Sequence, residues 1–129
     1  MQGGCLCGAV RYEAQGAPVD TNFCHCRTCQ LASGAPLLAW VTFPTTGFRW
    51  TAALPATFAS SKGVARGFCA RCGTTLTWAS AKSPDQIDIA SATLDDPALA
   101  PPADHIWVRS RLPWMRCDDG LPEYETRRE

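Results

Sequence analysis

The sequence predicts a small, mainly β protein, and three observations carry that prediction. Ten prolines and ten glycines punctuate 129 residues too often for long helices. Between them lie short alternating or apolar runs of strand length. Seven of the eight cysteines fall into three tight groups, Cys5-x-Cys7, Cys24-x-Cys26-x-x-Cys29 and Cys69-x-x-Cys72, which is ligand spacing for zinc, a metal that fastens small structures with little core of their own.

The elements follow in order. Val10-Arg11-Tyr12-Glu13 alternates apolar and polar residues, as a strand with one wet face does. Residues 37–43, 48–51, 57–60, 65–69, 74–78 and 87–91 are further predicted strands, separated by turns at Pro44, Pro55, Gly63, Gly73 and Pro84. Residues 26–34 break the pattern: they lack alternation and end at Gly34, as a helix of one or two turns would. Residues 94–103, with Asp96-Pro97 and Pro101-Pro102, read as a loop. His105-Ile106-Trp107-Val108 follows as a last predicted strand, and the tail from Pro113 is rich in turns. No repeat or low-complexity tract divides the chain, so residues 1–129 are expected to form a single domain that buries roughly two-thirds of its unfolded surface.

Composition excludes several function classes. Twelve basic residues balance twelve acidic ones, so no general field exists to attract nucleic acid or an anionic membrane. The start, Met1-Gln2-Gly3-Gly4, has no basic or apolar leader character, and no stretch approaches the ~18 apolar residues of a membrane span. A cytoplasmic location is therefore expected. In that reducing compartment eight cysteines are better explained as thiolates on metal than as disulfides.

The flanking residues divide the cysteines. Gly8 follows Cys7 and Gly73 follows Cys72, the arrangement of a zinc knuckle, in which a glycine takes the positive φ that turns backbone N–H groups toward the sulfurs. Cys5, Cys7, Cys69 and Cys72 are therefore expected to close one structural zinc site of four ligands. Cys24, Cys26 and Cys29 remain, and no glycine follows the last of them. Three thiolates leave the fourth tetrahedral position to water, a substrate thiol or a distant side chain. His25, His105 and the unpaired Cys117 are the side chains that could close it. His25 lies between two ligands, so its ring is expected to project away from the metal. His105 and Cys117 also have ordinary structural readings.

The set Gly3-x-Cys5-x-Cys7-Gly8-x-Val10, Cys24-His25-Cys26-x-x-Cys29, Phe68-Cys69-x-x-Cys72-Gly73-Thr74-x-Leu76, His105-Ile106-Trp107, Pro113-Trp114 and Asp119-Gly120-Leu121-Pro122 resembles the glutathione-dependent formaldehyde-activating family, also called the centromere protein V family. The resemblance runs from about Gly3 to Tyr124. It implies an Mss4-like fold, or β-tent, with a structural zinc on Cys5, Cys7, Cys69 and Cys72 and a substrate-side zinc on Cys24, Cys26 and Cys29. It further implies a carbon–sulfur lyase that joins glutathione to formaldehyde, so a small thiol and a small aldehyde are the expected partners. The family label does not specify which thiol or aldehyde this chain uses.

Three thiolates on Zn²⁺ carry a net negative charge, and a fourth adds to it, so cations are needed nearby. Arg27, Arg66 and Arg71 lie close to the cysteine groups in sequence, and Arg27 and Arg71 read equally well as plain surface residues. Arg66 matches a commonly basic position in the family and is the candidate to balance the charge or hold a glutathione carboxylate. Trp40, Trp50, Trp78, Phe43, Phe58 and Phe68 read as core, with Trp107 and Trp114 the aromatics to seek beside a pocket. Two other readings stand beside the enzyme: a non-catalytic thiol carrier, and a zinc-stabilised module that binds a protein.

Overall fold

A computed structural model describes residues 1–128. Its strands are β1 (Gln2–Gly4), β2 (Arg11–Ala14), β3 (Asp20–Cys24), β4 (Leu38–Pro44), β5 (Phe48–Trp50), β6 (Ala56–Ser61), β7 (Val64–Phe68), β8 (Thr75–Ser80), β9 (Gln86–Ala90) and β10 (His105–Ile106). One helix, α1 (Arg27–Ser33), ends at Gly34, whose left-handed backbone lets its N–H reach Gln30 O at 2.8 Å. The mainly β expectation holds. None of the described helices is long and apolar enough to cross a membrane.

Two sheets form. One has the order β1-β2-β5 and the other β10-β3-β4-β9-β8-β7-β6. All neighbours are antiparallel except β10 and β3, which pair in parallel with His105 opposite Phe23 and Ile106 opposite Cys24. Side chains alternate between the two faces of β4, the strand third from one edge of the larger sheet, and residues 40–43 are buried on both. Val41 and Phe43 point into the main core with Tyr12, Ile89 and Leu94, so the small sheet packs on that face. Trp40 points the other way and forms a second cluster with Cys24, Cys29 and Ala90. This second face carries α1 and the functional side chains.

Several sequence expectations needed correction. β1 and β3 were not expected as strands: Gly3-Gly4 and the Asp20 and Asn22 of β3 have weak strand propensity, and pairing with β2 and β4 overrides it. The loop over residues 94–103 includes a 3₁₀ turn at Pro97–Leu99 and places Leu94 and Ala100 in the core. The last strand stops at Ile106, because Trp107 takes φ 58° and turns the chain into a 3₁₀ turn. Phe58, expected in the core, is 64% exposed on the edge strand β6.

Gly3 tests the packing of the small sheet on the main core. A Cβ there would overlap the Tyr12 hydroxyl and the Thr93 carbonyl oxygen. Backbone cannot yield as a flexible side chain does. Gly3→Ala is expected to cost about 1–3 kcal/mol of stability by denaturant titration, and an unchanged midpoint would contradict this packing.

Candidate metal centres

Cys5, Cys7, Cys69 and Cys72 bring their sulfurs within 4.8 Å of one another. The spacing suits a tetrahedral metal: a Zn–S bond near 2.3 Å gives an S···S edge of about 3.8 Å. Cys5 Sγ lies 3.6 Å from Cys7 Sγ, and Cys7 Sγ lies 3.8 Å from Cys69 Sγ. Two backbone amides donate to the group, Val10 N to Cys5 Sγ at 3.3 Å and Cys72 N to Cys69 Sγ at 3.5 Å. The turns that aim them depend on Gly8 and Gly73, with φ of 79° and 81°. The Thr74 hydroxyl, 3.2 Å from Cys72 Sγ, holds that thiol down to about 5. The amides and the Thr74 hydroxyl favour thiolate, the form in which sulfur binds metal, whereas Cys7, crowded by the other three sulfurs, is pushed up to about 11, as expected where no cation balances the group.

Cys24, Cys26 and Cys29 form a second group within the same span. Cys24 ends β3, Cys26 caps α1 by accepting from Cys29 N at 3.4 Å, and Cys29 lies one turn into the helix. The loop-to-helix junction thus aims three sulfurs at one point. Cys24 and Cys26 sulfurs lie 3.3 Å apart, and their sharing of one proton pulls Cys26 down to about 2 while pushing Cys24 far up. One anion is all that such crowding tolerates without a cation, whereas a divalent metal would let all three ionise. The donor set therefore fits a metal ion.

Arg66 supplies the nearest positive charge. It stands on β7, is 8% exposed, and places its two terminal nitrogens 3.6 and 3.7 Å from Cys29 Sγ, with one also donating to Thr28 Oγ1 at 3.2 Å. This geometry sets a positive charge directly against the triplet. Arg27 donates to Gln30 Oε1 at 3.2 Å. No hydrogen bond or ion pair among the described residues engages the Arg71 side chain.

None of the three proposed closing side chains joins the triplet. His25, His105 and Cys117 gather in a separate cluster behind it. Asp119, an acceptor when ionised, takes the Nε2–H of His105 at 2.8 Å, so His105 Nδ1 accepts from His25 Nε2 at 2.8 Å. Both rings are fully buried, and burial holds His25 neutral, with its pKa lowered to about 4. His25 Nδ1 is left without a partner among the described residues. The 2.8 Å contact engages His25 Nε2 and His105 Nδ1 with each other, and Asp119 holds the remaining nitrogen of His105. The chain Asp119–His105–His25 instead anchors the loop between Cys24 and Cys26, together with Gln30, which donates to His25 O at 2.8 Å and Ser110 O at 3.0 Å. The sequence assigned no role to Asp119, quoted only within a tail motif, or to Gln30, since their partners lie 14 and up to 80 residues away.

The triplet opens on a cavity of about 590 Å³ that Trp40, Trp78, Trp107 and Arg66 help to line. The four-cysteine group lines neither this cavity nor the adjoining one of about 260 Å³. Trp107 is beside the pocket as expected. Trp114 is not: it is 70% exposed. Trp40 and Trp78, read as core, are cavity walls. The far wall carries Asp88, where burial pushes the carboxyl up to about 6, against a hydrogen bond from Thr42 Oγ1 at 2.6 Å.

Asp88 therefore has a folded-state pKa above its unfolded value of about 3.9, so the fold prefers it neutral. The penalty is absent below pH 4, grows as pH rises, and is complete above about 6. Asp88→Asn is expected to stabilise the protein by about 2 kcal/mol at pH 7.5 and by nothing measurable at pH 3.5. Urea midpoints at the two pH values measure this, and an equal gain at both would remove the electrostatic cause.

Two groups of thiols on a β scaffold, one of four with no cavity and one of three facing a cavity, define a mainly β protein with two candidate metal centres of different character. The chain belongs to the family of the glutathione-dependent formaldehyde-activating enzyme, whose model matches residues 1–110. The tail motifs from Pro113 onward lie beyond that match. An uncharacterized lyase of Schizosaccharomyces pombe is 32% identical over 78 residues, covering 60% of this chain and 56% of that protein. The match thus spans little more than half of that relative. A Rhodobacter sphaeroides protein of known crystal structure shares the fold at a TM-score of 0.62 and 19% identity, with 96% of this chain and 99% of that one covered.

Proposed function

We propose that this chain, folding as one domain over residues 1–129, is a cytoplasmic zinc enzyme that adds a glutathione-like thiol to formaldehyde or a similar small aldehyde. In this reading Cys5, Cys7, Cys69 and Cys72 hold a structural zinc, and Cys24, Cys26 and Cys29 hold a second. The observation that carries it is the triplet of sulfurs with no fourth protein ligand beside it among the described residues, placed on the wall of a large cavity. The family and the lyase relative support the reaction class.

A zinc ion on the triplet would supply the Lewis acidity that keeps a bound thiol ionised at neutral pH. The chain's own residues do the rest. The Arg66 guanidinium against Cys29 Sγ offsets the negative charge of the sulfurs. Trp40, Trp78 and Trp107 wall the cavity and limit water around the reacting atoms. The thiol gives up its proton, its sulfur forms a bond to the carbonyl carbon, the π pair moves to oxygen, and oxygen takes up a proton. The product is the S-hydroxymethyl adduct. Positioning and thiolate generation account for the rate without a protein nucleophile.

The test is exchange NMR of formaldehyde, glutathione and their adduct with the zinc-loaded protein. Faster interconversion than in the uncatalysed mixture is expected, and none at stoichiometric protein would overturn the reading in favour of a carrier or an interaction module.

A further inference from the structure

The larger sheet places an unusual row of side chains on the cavity face. Asp20, Thr42, Asp88, Trp78 and Arg66 are successive cross-strand partners on β3, β4, β9, β8 and β7. Asn22 and Cys24 follow Asp20 on the same face of β3 at two-residue intervals. The row thus runs from the sulfur triplet to a second, acidic region where the two cavities meet, since Asn22, Trp78, Asp88, Ile106 and Arg127 line both.

That region holds unmet acceptors. Asn22 is 7% exposed, and its Oδ1 has no donor among the described residues. Its amide nitrogen is turned to Asp20 Oδ2 at 3.3 Å, so the oxygen is what remains to be satisfied. Asp88 receives Thr42 on Oδ1 alone, and none of the ion pairs among the described residues supplies it with a cation. A partly buried carboxylate with a single donor and a buried amide oxygen with none, both on one cavity wall, ask for a group that donates several hydrogen bonds and carries positive charge. A primary ammonium does both. Arg127, exposed and outside those same ion pairs, lines both cavities and offers a carboxylate a guanidinium fork. An ammonium and a carboxylate on one carbon make an α-amino acid head group.

Distance selects among thiols that bear such a head. Cys24 and Asn22 are roughly 7 Å apart along β3, and Asp88 lies further along the sheet, two strands over. The ligand must therefore separate sulfur from ammonium by something of order 10 Å. Within a cysteine residue the separation is only roughly 3 Å, whereas a γ-linked glutamyl extension raises it to roughly 9 Å when extended.

We propose that Asp88 and Asn22, with Arg127 at the rim, form a subsite for the α-amino acid head of a γ-glutamyl thiol, so that this end of the cosubstrate sits away from the sulfurs and its other end makes no essential contact. The inference rests on the proposed thiol chemistry of the triplet and adds the orientation and the feature that is recognised. It also gives a reason for a carboxylate whose burial costs stability: the cost is offset when the ammonium arrives.

Calorimetric titration of the zinc-loaded protein with glutathione, γ-glutamylcysteine and cysteinylglycine tests it. γ-Glutamylcysteine is expected to bind within about threefold of glutathione, and cysteinylglycine at least about tenfold more weakly, the size of one charge-assisted contact. Asp88→Asn is expected to weaken glutathione by about tenfold or more while leaving cysteinylglycine unchanged, which erases the difference between the two. Asn22→Ala is expected to do the same in smaller measure, and circular dichroism with zinc content certifies both folds. Equal affinity for glutathione and cysteinylglycine in the unaltered protein, or undiminished glutathione affinity in both variants, overturns the subsite. If glutathione binding persists in Cys26→Ser, the thiol reading fails instead. If no thiol binds at all, both fall.

Discussion

Cys69→Ser is expected to leave the chain unfolded or molten at 25 °C, with zinc content falling from about two per chain to near zero. Cys69 is 1% exposed, its sulfur faces Cys7 at 3.8 Å, and it belongs to the same core cluster as Tyr12, Phe43 and Leu76. The group joins the segment before β2 to the turn between β7 and β8, so its loss separates the small sheet from the large one. A structural zinc contributes about 10–16 kcal/mol in model peptides, against a total stability of about 5–15 kcal/mol for an ordinary domain. The metal term is therefore as large as everything that holds the fold. Loss of this site is expected to remove the second one as well, because β3 and α1 keep their positions only in the folded sheet. Far-UV and near-UV circular dichroism with metal analysis measures the effect. A cooperative melt within a few degrees of the unaltered protein would show that the four cysteines are not a structural metal centre.

Cys26→Ser is expected to have the opposite profile, with the fold retained and the chemistry lost. Cys26 is half-buried, caps α1 through Cys29 N and is the sulfur on which the negative charge of the triplet concentrates. Serine still caps a helix, so the local backbone should hold. It replaces a soft thiolate by a neutral hydroxyl, and two thiolates retain zinc poorly. Residues that merely support metal ligands typically cost 10–100-fold, so removal of a ligand is expected to lower the acceleration of adduct formation by more than about 100-fold. Zinc content is expected to fall from about two to about one per chain. Activity within tenfold of the unaltered protein would remove the triplet from the reaction. Read together, the two variants separate a fold-holding centre from a reactive one.

The candidate site was legible in the sequence to an uneven degree. Cysteine spacing and the glycines after Cys7 and Cys72 are local features, set by the few backbone conformations that aim sulfur lone pairs and amides at one point, and the structure gathers the seven cysteines into the groups of four and three that these features imply. Arg66 was visible only as a basic residue near a cysteine group, and nothing local says that β7 lays it on Cys29. His25 and His105 looked like isolated histidines. Their direct contact depends on β10 pairing in parallel beside β3, a non-local event for which two residues of strand carry no signal. β1 and β3 were missed for the same reason, since glycine, asparagine and aspartate there become strand only because neighbours satisfy their backbone groups.

By itself, then, the sequence determined the mainly β class, the helix ending at Gly34, and the division of seven cysteines into four and three, because each follows from periodicity or from chemistry between residues a few positions apart. Only the tertiary structure decided that no histidine or eighth cysteine closes the triplet, that the triplet faces a cavity, and that Asp88 and Asn22 share that cavity's far wall. The physical reason is the register of the seven-stranded sheet. Cross-strand pairing selects which side chains from β3, β4, β9, β8 and β7 stand on one face, and that selection is made by packing across the whole sheet rather than by any segment alone.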